Sequence, residues 1–107
     1  TATFKKDLKG SDFLHWGDGT VSLSENRITL MGNLSPGPDF MLYLSPKFGE
    51  TEAEFEQVKS TMKLIGEVRT FDNFVVEVSN DVNLEQYNTV IVWCKSFGEF
   101  ITSAKYR

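Results

Sequence analysis

The sequence predicts an all-β domain: a single β-sandwich of about eight short strands with one small helix, occupying residues 1–107. Three observations carry this. The stretch Val90-Ile91-Val92-Trp93-Cys94 is unbroken, apolar and β-branched between polar flanks, which reads as a strand buried on both faces. Thr20-Val21-Ser22-Leu23-Ser24 and Arg27-Ile28-Thr29-Leu30-Met31 alternate around Glu25-Asn26, the pattern of a hairpin. Nine phenylalanines in 107 residues lean the composition toward sheet.

Taken in order, Ala2 and Phe4 give a weak alternation that suits an edge strand. Phe13, Leu14 and Trp16 then surround His15. Gly17-Asp18-Gly19 is turn chemistry, because glycine reaches positive φ at little cost. After the hairpin, residues 32–39 read as a loop whose two prolines remove ladder donors. Phe40-Met41-Leu42-Tyr43-Leu44 follows as a strand. Residues 51–60 are the helix: Thr51 and Glu54 have capping-box spacing, and Phe55 and Val58 form a narrow apolar stripe. Residues 62–68 return to strand with Gly66 as a bulge site. Phe71-Asp72-Asn73 turns into Phe74-Val75-Val76-Glu77-Val78. A polar connection carries Val82, Leu84 and Tyr87 inward before the central strand. In the last strand Phe100, Thr102, Ala104 and Tyr106 are expected to share one face.

Charge excludes some functions. Eleven basic against fifteen acidic side chains give a net charge of −4, and no basic patch is visible, which argues against nucleic acid. No apolar run approaches the ~20 residues of a membrane-spanning helix. The chain opens at Thr1 without Met, which fits an exported protein whose leader has been removed.

The chemistry-bearing residues are few. Cys94 is the only cysteine and ends the central strand, where the chain turns polar at Lys95-Ser96. Its ordinary role is that of a small core hydrophobe; its functional role is a reactive thiol or a ligand. On a strand Val90, Val92 and Cys94 share one face, while Ile91 and Trp93 share the other. His15 is the only histidine, either a half-exposed residue ahead of a turn, a base for Cys94, or with it an axial pair for haem iron. One cysteine and one histidine cannot fill a closed zinc site. Asp18 between glycines lacks the spacing of a calcium loop, and Glu52 and Glu56 read as a solvated helix face. No nucleophile, base and oxyanion set can be assembled, which argues against a hydrolytic enzyme.

Several pieces taken together resemble a known family. They are His15 before Gly17-Asp18-Gly19-Thr20-Val21, and Gly37-Pro38-Asp39-Phe40 leading into Leu42-Tyr43-Leu44-Ser45. Further along come Leu64-Ile65-Gly66, Val82-Asn83-Leu84-Glu85-Gln86-Tyr87 and Thr89-Val90-Ile91-Val92-Trp93-Cys94-Lys95-Ser96-Phe97, with Ala104 beyond. This resembles the DM-thirteen domain, found beside DOMON domains in cell-surface and exported proteins. The resemblance implies a β-sandwich outside the cytoplasm (periplasmic, secreted or cell-surface). It also implies a redox or electron-transfer role centred on Cys94, as a bare thiol or as a ligand to a prosthetic group such as haem. Trp93, His15 and Asp39 are then the companions of Cys94, and the partner is a redox or cell-surface protein. Residues 51–60 look like a local insertion, Phe40 stands where the family usually has Leu, and Arg69-Thr70-Phe71-Asp72 replaces a Gly/Asn-rich turn. The competing expectation is a non-catalytic binding or adhesion module. In it loops 17–19 and 35–39 would hold calcium, a glycan or a protein, and Cys94 would be structural.

Overall fold

The central strand needs cover on both faces, and the fold supplies it from two directions. The computed structural model describes residues 2–6, 8, 11 and 15–107; the expectations for Thr1, Phe13, Leu14 and the Val58 side chain lie outside what is described. The strands are β1 (Ala2–Phe4), β2 (Gly17–Ser24), β3 (Arg27–Leu34), β4 (Phe40–Ser45), β5 (Lys63–Val68), β6 (Asp72–Glu77), β7 (Thr89–Cys94) and β8 (Glu99–Lys105). They form two antiparallel four-stranded sheets, ordered β1-β2-β3-β6 and β5-β4-β7-β8. This is the predicted β-sandwich. The helix α1 (Glu52–Val58) is present, and short 3-10 helices follow at Lys59–Thr61 and Leu84–Gln86.

Every residue of β7 is buried. Its Val90, Val92 and Cys94 side chains join Leu42, Leu44, Ile28, Leu30 and Phe74 in the core between the sheets. Ile91 and Trp93 point the other way and form a second apolar cluster with Phe55 and Phe100. Phe55, on α1, stacks on Trp93 with ring centroids 3.8 Å apart, and Tyr43 meets Phe55 edge-on at 5.4 Å. The helix therefore caps the outer face of the second sheet. Its start is fixed as the spacing predicts, with the Glu54 amide donating to Thr51 Oγ1 at 3.1 Å. The Glu54 carboxylate reaches back one residue further than in a standard box, accepting from the Glu50 amide at 3.3 Å.

Four local expectations are corrected. Gly17-Asp18-Gly19 is not a turn but the opening of β2, paired with Leu34, Asn33 and Gly32. Correspondingly, Gly32, Asn33 and Leu34 belong to β3 rather than to a loop. Gly19 and Gly32 lie opposite each other with the backbones so close that a Cβ on Gly19 would sit 2.4 Å from the Met31 carbonyl oxygen. The glycine pair serves close approach, with Gly19 at φ 135°. In β8, Ile101 is an extra residue, because Val92 pairs with Thr102 and Trp93 with Phe100. That bulge turns Phe100 to the outer cluster while Ile101 and Ala104 face the inter-sheet core. A bulge was also expected at Gly66. The extra residue is its neighbour Ile65, since Leu42 pairs with Gly66 and Tyr43 with Leu64.

The polar connection before β7 is pinned by Tyr106, whose hydroxyl donates to the Leu84 carbonyl at 2.8 Å. Val82, Leu84 and Tyr87 pack on the core as expected.

Two predictions follow from this packing. Gly19→Ala forces a side chain into the Met31 backbone at an unfavourable φ, so urea unfolding is expected to show a loss of about 2–3 kcal/mol. Burial pushes the Tyr106 phenol up to about 12. Its stabilising share is thus complete below the ordinary tyrosine value near ~10 and lost as pH rises toward the folded value. Stability measured across that alkaline window should fall less steeply in Tyr106→Phe.

Candidate functional site at the end of the central strand

The site is built where β7 ends and the chain crosses from one sheet to the other. Phe40 opens β4 directly opposite Cys94, so residues 35–39, which connect β3 to β4, pass over the end of β7. Cys94 is 2 % exposed. Its Sγ donates to the Pro38 carbonyl at 3.1 Å. The thiol therefore lies just inside the sandwich rim, under a two-proline crossover.

Asp39 fastens that crossover. It sits at φ 60°, a left-handed conformation uncommon for a residue with a Cβ. This conformation lets its carbonyl accept from the Lys95 amide at 3.0 Å. Its carboxylate meanwhile accepts from Ser96 Oγ at 2.8 Å. The Asp39 charge also reaches Tyr43: burial first, and Asp39 second, raise the Tyr43 phenol above its usual range. The other end of the crossover is held by Trp16, whose amide donates to Ser35 Oγ and whose carbonyl accepts from the Ser35 amide, both at 2.9 Å.

Of the residues singled out from sequence, Cys94 and Asp39 are thus brought together through Pro38, Lys95 and Ser96. Trp93 faces away from the thiol, into the cluster under α1. His15 is half-buried and immediately precedes Trp16, at the far anchor of the same crossover. The residues sequence reasoning missed are Pro38, the acceptor for the thiol, and Ser96, the partner of Asp39. Both lie inside stretches that carry the family resemblance, Gly37-Pro38-Asp39 and Cys94-Lys95-Ser96, and that was the available signal.

The surroundings of Cys94 do not fit a haem or a calcium ion. Its Sγ faces a carbonyl oxygen rather than an open slot, and Asp39 is engaged by a hydroxyl and a backbone amide. Among the described residues no three His, Cys, Asp or Glu side chains gather as a metal site. Clefts exist elsewhere. One of about 610 Å³ opens between β5 and β6, beside Gly66, Arg69, Asn73 and Glu77. Another of about 620 Å³ lies beside Leu23, Glu25, Val82 and Asn83. Neither is lined by Cys94, Asp39, His15 or Trp93. No described helix is long and apolar enough to cross a membrane.

A two-sheet antiparallel sandwich with one thiol tucked under an inter-sheet crossover defines the class. The chain belongs to the electron transfer DM13 family, whose model matches residues 7–106. No curated protein and no solved structure matches it.

The left-handed Asp39 gives a direct test. Asp39→Ala loses the Ser96 bond and keeps the backbone strain, so a loss of about 1–2 kcal/mol is expected in urea unfolding. Asp39→Gly loses the same bond but relieves the strain, and it should recover a large part of that loss.

Proposed function

We propose that this chain is an exported or cell-surface accessory domain that exchanges reducing equivalents with a protein partner through Cys94. The observation that carries the reading is the position of the one sulfur nucleophile. It sits at a strand end beneath a short crossover, in a chain whose family is described by electron transfer. A core cysteine in mid-strand would have no such proximity to the rim.

With one cysteine in the chain, a two-electron step needs sulfur from elsewhere. The Cys94 thiolate attacks one sulfur of a partner disulfide, forming a mixed disulfide and breaking the partner's S–S bond. The departing thiolate takes up the proton that Cys94 gave up. A free thiol such as glutathione then attacks the Cys94 sulfur of the mixed disulfide, releasing the partner as a dithiol. A second free thiol attacks the sulfur of the first, leaving as their disulfide and freeing Cys94 as a thiol, so two electrons pass from the small thiols to the partner. Asp39 stands at the anchor beside the thiol and His15 next to the far anchor of the crossover, and Trp93 backs the strand.

A second reading is favoured by the 2 % exposure of Cys94 and by the clefts away from it. In that reading the domain is a binding or adhesion module and the thiol is packing. Of its expected loops, residues 17–19 are strand, leaving residues 35–39 and the cleft between β5 and β6.

Glutathione disulfide separates the two. Under native conditions the folded protein should form a one-to-one mixed disulfide and release it to dithiothreitol, and Cys94→Ser should not. A folded protein whose thiol can be alkylated but does not exchange would sink the redox reading. A ligand-induced rise in melting temperature retained by Cys94→Ala would favour the binding module.

A further inference from the structure

We infer that residues 35–39 form a strap closed over Cys94, which opens locally while both sheets stay folded and so controls when the thiol can react. The purpose assigned to the strap rests on the redox role proposed above. Its geometry does not.

The strap has two anchors and little between them. At one end Ser35 is almost fully buried and doubly bonded to the Trp16 backbone. At the other, Asp39 is held by the Lys95 amide and the Ser96 hydroxyl. Pro36 and Pro38 are exposed and have no N–H, so Gly37 supplies the one backbone donor of the span between the anchors. Two things seat the span. The Pro38 carbonyl accepts a hydrogen bond from the Cys94 thiol. Gly37 lies against the Phe40 ring so closely that a Cβ there would sit 2.8 Å from it.

The anchors differ in strength. The Ser35 end is buried, whereas the Asp39–Ser96 bond lies at the exposed rim and Asp39 holds a backbone conformation that favours release. Opening therefore starts at Asp39 and lifts Pro38 away from the sulfur. A route to Sγ through its own sheet breaks β7, which is hydrogen-bonded on both sides by β4 and β8. Lifting the strap disturbs no ladder beyond the first residues of β4. That contrast makes local opening the low-energy path.

The test is the rate of Cys94 alkylation by iodoacetamide in the folded protein, followed from zero urea upward beside the global unfolding curve. Through a strap, labelling at low urea depends weakly on denaturant, because little surface is exposed, and it takes on the steep global slope only near the transition. Ser96→Ala should raise the low-urea rate roughly three- to tenfold, the loss of one hydrogen bond to a carboxylate at the rim, whereas Gly19→Ala, which lowers global stability but leaves the strap intact, should leave the low-urea rate unchanged. Labelling that follows the global slope down to zero urea would overturn the strap. So would an unchanged rate in Ser96→Ala, or a low-urea rate in Gly19→Ala that rises in step with its loss of global stability. Labelling with the expected urea dependence but no exchange with glutathione disulfide would keep the strap and remove the redox role.

Discussion

The structure depends on one constraint, the need of β7 to be covered on both faces. A strand reading Thr-Val-Ile-Val-Trp-Cys has no side that water can take, and its backbone is paired on both edges by β4 and β8. One apolar face is met by the opposite sheet and the other by a seven-residue helix with a single large anchor, Phe55. The helix is too short to persist by itself in water. Its stacking on Trp93 and its Thr51 cap are what hold it, so the predicted insertion is a structural cover for the central strand.

How far the sequence was legible follows from how local each signal is. The β2–β3 hairpin, the central strand and its two faces, and the Thr51 cap are short-range patterns that tertiary packing left intact. Gly17-Asp18-Gly19 misled because glycine has two uses, and its local composition does not tell them apart. Here Gly17 makes room for Thr102, whose methyl carbon would lie 2.5 Å from a Cβ at that position, and Gly19 makes room for β3. Both reasons lie on other strands. The Ile101 bulge was equally hidden, since an apolar residue beside Phe100 gives no sign of which one will be out of register.

At the site the sequence disclosed the sulfur and the acid but not what joins them. Cys94 and Asp39 are distant in sequence, and their association depends on Phe40 pairing with Cys94. Once that register is set, the geometry is forced. Pro38 precedes Asp39 by one residue and must pass the end of β7, where its carbonyl is the nearest acceptor for the thiol. Asp39 lies at the bend that leads into β4, and there its backbone is left-handed.

The same geometry reconciles two properties that seem opposed, a thiol shut away from solvent and a family characterised by electron transfer. Burial protects a cysteine from indiscriminate oxidation, since reaction requires both thiolate character and access. Burial in mid-sheet would protect it permanently. At the sheet end the cover is a crossover belonging to both sheets, Ser35 tied to the strand entering one and Asp39 to the hairpin closing the other. Access is then set by a small segment with few donors of its own, independent of the ladders that stabilise the fold. A partner that engages the rim near Ser96 and exposed Phe97 would meet the weaker anchor first. Selectivity would then come from who can open the strap rather than from the intrinsic reactivity of the sulfur.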